Sequence, residues 1–346
     1  VPKPTPIYLD ASIRSVELDE FEYRLKNHIV GQDDAITALA DIYQMYKAKM
    51  NSPGRPVGSF LFLGPTGVGK TALCEVLAKI LFGTEKAIIK VNCAEFQHSH
   101  EIAKIIGSPP GYLGHRETGS FLNEKRLTEY CTKDNPLSIL LFDEIEKSSD
   151  ALWQLLLGIL DKATLTLGDN SRVDLSNTMI FLTSNLGGRD ITKLAADSGL
   201  GFHTSDTTHD DLENAALSAM RIKFSPEFIN RLDKIVVFNS LGKTQLQQIL
   251  DIELENIQER LLENEYTRFA FNLTPSTKEF LLKEGVDIKY GARHLKRAIH
   301  QHIVYPLSNL VSSGQVRSGD SVLIDRIENE TRFCLSKNAL IKVANL

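Results

Sequence analysis

The stretch Gly64-Pro65-Thr66-Gly67-Val68-Gly69-Lys70-Thr71 constrains this chain more than any other. It fits the pattern of a Gly, four residues, then Gly-Lys-Thr, and its surroundings suit that pattern. The apolar run Phe60-Leu61-Phe62-Leu63 precedes it, and a helix-forming run, Ala72-Leu73-Cys74-Glu75-Val76-Leu77, follows. A strand that turns tightly into a helix can wrap backbone N–H groups around phosphates. Glycines leave room for that approach, and the helix N-terminus adds partial positive charge. Lys70 is then placed to reach the β- and γ-phosphates of ATP, and Thr71 to hold Mg²⁺.

A second motif complements the first. Leu140-Leu141-Phe142-Asp143-Glu144 reads as an apolar strand ending in two carboxylates. Asp143 would support Mg²⁺ at the strand end. Glu144 is placed to accept a proton from an attacking water, which favours hydrolysis over kinase chemistry or a simple switch.

Five short apolar runs, 59–63, 87–91, 138–142, 179–183 and 235–238, are separated by helical or loop segments. They lack polar alternation, as strands buried on both faces do, and the order is that of a parallel α/β sheet. Helices are expected from about Ser15, with Leu18, Phe21 and Leu25 inward, and from Asp33. The stripe of the second is Ile36, Leu39, Ala40, Tyr43 and Met50. Beyond Asn239-Ser240 the pattern becomes mainly helical. Helices are expected over 243–262, with Leu250, Leu254, Ile257 and Leu261 on one face, and over 276–283 and 292–307. Short strands at 321–324 and 332–335 follow. The chain is therefore read as an α/β protein in three parts. A linker and helix span 1–26, a large nucleotide-binding domain with a five-stranded parallel sheet spans 27–238, and a smaller helical lid with a few short strands spans 239–346.

Composition narrows the partners. Lys plus Arg is 39 against 44 Asp plus Glu, a net charge of −5, which argues against a nucleic-acid footprint. Four cysteines lie far apart with no CxxC, so a disulfide framework or cysteine zinc site is not expected, and the cytoplasm or another reducing compartment fits. No apolar run reaches the ~20 residues that span a bilayer, so no membrane partner is expected. The opening Val1-Pro2-Lys3-Pro4 is no signal peptide and lacks an initiator Met, so the chain reads as a piece of a longer protein.

With these motifs the chain resembles an AAA+ ATPase and, more narrowly, the second ATPase module of the Clp ring unfoldases (ClpA, ClpB and ClpC types). The resemblance runs from about Glu20 to Val322 and implies several roles. Ile29 and Val30 would pack around adenine. Asn185, after Thr183-Ser184, resembles the sensor-1 residue that orients the attacking water. Arg231, in Phe228-Ile229-Asn230-Arg231-Leu232-Asp233, resembles the arginine finger that reaches a neighbouring subunit's site; without the family it would read as an ion pair with Asp233. Arg293, after Gly291-Ala292, resembles sensor 2, touching the phosphates from the lid.

Gly111-Tyr112-Leu113-Gly114 resembles the pore loop that grips a threaded polypeptide, since an aromatic contacts any sequence through area and stacking. The plainer reading is a core tyrosine in a tight turn. Two departures stand out. His115-Arg116-Glu117-Thr118-Gly119 replaces a pattern of two acidic residues and two glycines. The second pore-lining stretch, 164–172, carries Leu167 and Asn170 where Asp and Gly are usual. Leu200-Gly201-Phe202 resembles the tripeptide that docks on a ClpP-type peptidase; alternatively, Leu200 and Phe202 anchor their own loop. The implied function is an ATP-hydrolysing homo-oligomer, a hexamer in the full-length protein. It would thread unfolded or tagged proteins through a central pore and feed a ClpP-type peptidase. A protease-independent disaggregase or remodelling chaperone is the alternative. A nucleic-acid-dependent AAA+ motor and a ring that ATP merely assembles are rivals of another class.

Overall fold

The first helix, α1 (Val16–Lys26), is set by its ends. Ser15 caps it, its side chain accepting the Leu18 N–H at 3.3 Å, and Glu17 and Asp19 lie in the first turn where the dipole favours negative charge. It buries Leu18, Phe21 and Leu25, while α2 (Asp33–Lys47) buries Ile36, Leu39 and Ala40. Phe21 stacks on Tyr43 with ring centroids 4.4 Å apart. Met50, expected on the α2 stripe, lies past the helix end instead. The chain turns at Lys49, whose φ is 56°, and leaves Met50 77% exposed. The computed structural model describes residues 9–10, 13–108, 119–133, 135–188, 209–263, 266–285, 291–327 and 330–336.

The apolar runs become strands. In order come β1 (Gly58–Leu63), α3 (Lys70–Phe82), β2 (Ile89–Asn92), β3 (Ser138–Asp143) and α4 (Asp150–Lys162). Then follow β4 (Thr164–Thr166), β5 (Arg172–Asp174), β6 (Thr178–Ser184), α5 (His209–Lys223) and β7 (Lys234–Val237). The five-stranded sheet has the order β2-β3-β6-β1-β7, with β3 parallel to both β2 and β6. β1 and β6 are buried along their whole length, which is why neither shows polar alternation. Phe181 of β6 lies between Phe60 and Phe62 of β1, with centroids 5.0 and 5.6 Å away. β4 and β5 form a separate antiparallel hairpin.

The chain divides into two compact units. One is Val1–Phe62, Thr71–Ser184 and Phe224–Val236; the other is Leu63–Lys70, Asn185–Lys223 and Val237–Leu346. The second unit has its own core. α6 (Lys243–Glu263) buries Leu246, Leu250, Leu254 and Ile257, a helical stripe that packs with Phe269, Phe271, Leu281 and Leu295. Leu261 lies at the margin of this cluster, partly buried.

Next come β8 (Ala270–Leu273), α7 (Pro275–Gly285), α8 (Ala292–Ile299), α9 (Tyr305–Ser312), β9 (Ser321–Ile327) and β10 (Glu330–Ser336). β8 was not expected. It has four residues and gains its ladder only from β9, some fifty positions away, as a parallel neighbour. The helix expected over 292–307 is interrupted by a π-helical turn, His300–Val304, just before Pro306. Proline has no N–H to give and its ring crowds the preceding turn, so the chain widens there.

Phe181→Ala removes the ring that joins β6 to β1. It should destabilise the sheet unit by about 3–5 kcal/mol. Urea unfolding followed by fluorescence checks this; a loss below about 1 kcal/mol would show that the stack carries little of the core.

Candidate nucleotide-binding site

The loop between β1 and α3 is shaped by three glycines with positive φ: Gly64 at 137°, Gly67 at 77° and Gly69 at 109°. Gly64 also sits against the backbone of Phe238, whose N–H donates to the Leu63 carbonyl at 2.8 Å. A Cβ on Gly64 would meet the Phe238 oxygen at 2.7 Å, so only glycine fits. Lys70 is 8% exposed, and its Nζ donates to the carbonyls of Gly64 (2.7 Å) and Pro65 (2.6 Å) and to Asn185 Oδ1 (3.0 Å). Lys70 and Asn185, 115 positions apart, are thus brought together.

The same unit brings in the start of α8. The Ala292 N–H donates to the Gly67 carbonyl at 3.0 Å, and a Cβ on Gly291 would fall 2.6 Å from that oxygen. Gly291 has φ 55°, so both conformation and space demand glycine. The helix that carries Arg293 therefore begins on the phosphate loop, with the Arg293 side chain exposed.

The other unit carries the two carboxylates Asp143 and Glu144. Thr183 donates its hydroxyl to Asp143 Oδ1 in a short hydrogen bond and accepts the Glu144 N–H at 3.1 Å. Thr71 Oγ1 lies 3.4 Å from the same Asp143 oxygen, and Lys90 Nζ lies 3.0 Å from Oδ2. Burial alone would raise the Asp143 pKa. The hydrogen bonds from Thr183, Lys90 and Thr71 outweigh it and hold the carboxyl below its usual range.

Glu144 has the left-handed backbone, φ 59° and ψ 49°. That costs roughly 1–2 kcal/mol in a residue with a Cβ, and the Thr183 bond holds it in place. Its side chain pairs with Lys147, whose own pKa the Glu144 hydrogen bond raises.

The residues present fit nucleotide and Mg²⁺. The positive-φ glycines form a cradle in which a Cβ on Gly69 would meet nothing within 4 Å. Among the described residues no group of three or more His, Cys, Asp or Glu is arranged to hold a metal. A hydroxyl beside one carboxylate suits Mg²⁺, which binds through one or two carboxylates, waters and substrate phosphates. Thr183 and Lys90 were missed by motif reading. The available signals were a threonine inside an otherwise apolar strand and a lone cation in the apolar run 87–91.

The remaining expected residues fall variously. Ile29 is turned into the core at 6% exposure, whereas Val30 stays half-open. Arg231 does not pair with Asp233. Its Nε lies 3.1 Å from Asp161 and its Nη1 2.8 Å from Glu227. Asp233 instead binds the Ser59 N–H and hydroxyl at 2.8 and 2.6 Å, pinning the segment to β1.

The stretch 164–172 is the β4–β5 hairpin. Leu167 is buried, and Asn170 takes φ 67°, a conformation asparagine tolerates where glycine is usual. The Gly168 N–H donates to the Ile106 carbonyl at 2.8 Å, tying the hairpin to the end of the short helical turn Ala103–Ile106. Gly111, Tyr112, Leu113 and Gly114 lie outside the described residues, as do Leu200, Gly201 and Phe202. No described helix is long and apolar enough to cross a membrane.

The chain is similar to several known proteins. Residues 55–235 match the family model of the AAA domain (Cdc48 subfamily), and 241–324 match the C-terminal, D2-small domain of ClpB protein. Chaperone protein ClpB 1 of Thermosynechococcus vestitus is 38% identical over 314 residues, 91% of this chain and 34% of that relative. The negative regulator of genetic competence ClpC/MecB of Bacillus subtilis is 36% identical over 94% of this chain and 39% of its own length. Among solved structures, a Saccharomyces cerevisiae Hsp104–casein complex superposes with a TM-score of 0.77 at 32% identity, covering 91% of this chain and 52% of that one. An Hsp104–ADP complex from the same yeast gives 0.76 at 33% identity, covering 90% and 50%. This chain spans about a third of the length of the curated relatives it matches.

A carboxyl held below its usual pKa stabilises the fold above the unfolded value near 3.8, and that stabilisation is lost as pH falls through the lowered folded value. Thr183→Val removes the strongest donor. The Asp143 titration should then move up, and the acid loss of stability should begin at higher pH. Carboxyl ¹³C shifts of labelled aspartate read this directly, and an unmoved midpoint would contradict the assigned network.

Proposed function

The chain belongs to the Clp family of AAA+ ATPases, and on that premise we propose that it is the second ATPase module of a ring-forming protein-remodelling machine. The observation that supports this most is the buried Lys70. It is held by the phosphate loop and Asn185, and the same loop accepts the N–H of Ala292, in the first turn of α8, a helix within the stretch that matches the ClpB small domain. The large domain is proposed as 27–238 and the lid as 239–346, with 1–26 as linker and first helix.

ATP with Mg²⁺ supplies the phosphoryl group whose hydrolysis drives the machine. The chain's own residues do the rest. The loop 64–69 binds phosphates through its backbone, Lys70 neutralises their charge, and Thr71 with Asp143 holds the cation. Val30, with Ile29 behind it, packs on the base. Glu144 takes the proton of the attacking water, and Asn185 orients that water without competing for the proton. Arg231 acts across the ring, where a guanidinium stabilises charge on the transferring group. Arg293 senses the nucleotide from the lid, so that the lid angle follows the bound state.

Movement of Tyr112 would then pull a polypeptide through the pore of a hexamer. Its partners would be unfolded or aggregated proteins. The ClpB match of the small domain and the Hsp104–casein likeness favour remodelling or disaggregation. Feeding of a ClpP-type peptidase is the second reading, and it rests on Leu200-Gly201-Phe202 alone.

Two variants separate chemistry from work. Glu144→Gln should lower ATP turnover by about 10²-fold or more while nucleotide still binds. Tyr112→Ala should keep turnover and lose unfolding of a fluorescent folded reporter in the ring-forming full-length protein. Turnover indifferent to Glu144→Gln would overturn the mechanism, and full unfolding by Tyr112→Ala would overturn threading.

A further inference from the structure

Lys90 departs from what its place in the fold predicts. β2 is an edge strand of the sheet, and lysines on edge strands ordinarily point to water and discourage strand addition. Lys90 instead turns its ammonium onto the Asp143 carboxylate, 3.0 Å from Oδ2. The register explains the reach. Asn92 is the partner of Asp143 and Lys90 the partner of Leu141, so Lys90 approaches diagonally from the same face of β2 as Asn92. Its side chain stays 45% exposed, so it can swing away.

The other carboxylate oxygen is also engaged. Asp143 Oδ1 accepts from Thr183 and faces Thr71 at 3.4 Å. Thr183 is buried on β6 and has no freedom to leave. Of the groups on Asp143, Lys90 is therefore the mobile one, and it carries a full positive charge. A divalent cation that uses Asp143 and the Thr71 hydroxyl must approach a carboxylate that an ammonium already neutralises. It must displace that ammonium or accept repulsion from it.

We infer that Lys90 is a positioning residue that competes with Mg²⁺ for Asp143, so that the carboxylate stays ordered without the metal and releases Mg²⁺ readily. This rests on the reading of Thr71 and Asp143 as the cation site. It gives Lys90 a specific effect: it weakens the coupling between Mg²⁺ and nucleotide without being a phosphate ligand itself.

The test is the ratio of nucleotide affinities with and without metal. Binding of a fluorescent ADP analogue to the whole chain is measured in excess Mg²⁺ and in EDTA, for wild type, Lys90→Met and Lys90→Arg. Removing a half-exposed ammonium beside the carboxylate should raise the ratio about fivefold, through tighter binding in Mg²⁺. Affinity in EDTA should hardly change, and Lys90→Arg should behave as wild type. A Lys90→Met ratio within about twofold of wild type, or below it, would overturn the role of Lys90. Equal weakening in EDTA and Mg²⁺ would make Lys90 a phosphate contact and overturn it too. Wild type whose nucleotide binding ignores Mg²⁺ would overturn the cation site itself, and this inference with it. Thermal unfolding in EDTA monitors folding, and Lys90→Gln is the second uncharged variant should the methionine fold poorly.

Discussion

The burial of the Lys70 ammonium governs the phosphate loop. A charge taken out of water must find polar partners, or the fold loses several kcal/mol. Lys70 finds two backbone carbonyls and Asn185 Oδ1 within 3.0 Å. Turning the Gly64 and Pro65 carbonyls inward bends the loop back on itself. That bend needs the positive φ of Gly64, Gly67 and Gly69, and it leaves no space for a side chain where Gly64 meets Phe238. The loop's conformation thus follows from an electrostatic demand that glycine alone can meet sterically.

The same economy extends to the start of α8. Gly67 gives its carbonyl to the Ala292 N–H, and Gly291 fits beneath with no room for a Cβ. A helix N-terminus has N–H groups without intrahelical partners, and here one of them is satisfied by the loop that would hold phosphate. On the acidic side Thr183 does comparable double duty. It accepts from the strained Glu144 backbone and donates to Asp143, so one hydroxyl helps to position both residues.

Much of this could be read from the sequence. The five apolar runs, the two-carboxylate strand end and the glycine-rich turn each state a local physical requirement, and each appears where it was expected. The parts that escaped depend on distant pairing. β8 is too short to show a pattern and exists because β9 offers it a ladder. Lys90 and Thr183 acquire meaning only when β2, β3 and β6 lie side by side. Without the family Arg231 would read as a partner for its near neighbour Asp233, yet it meets Asp161, 70 positions earlier, while Asp233 binds Ser59. Leu167 and Asn170 looked anomalous in sequence and are ordinary in structure, one buried and the other in a left-handed turn.

The Lys70 loop is proposed to be a nucleotide phosphate site. Titration calorimetry of ATP in Mg²⁺ against wild type and Lys70→Ala tests it most directly, with circular dichroism as a check on folding. Saturable one-to-one binding to the wild-type chain is expected, with a loss of at least about tenfold in the variant, since an interaction with a charged group is worth roughly 1.5–3 kcal/mol. Equal affinity in a folded Lys70→Ala chain, or no binding to wild type, would contradict it.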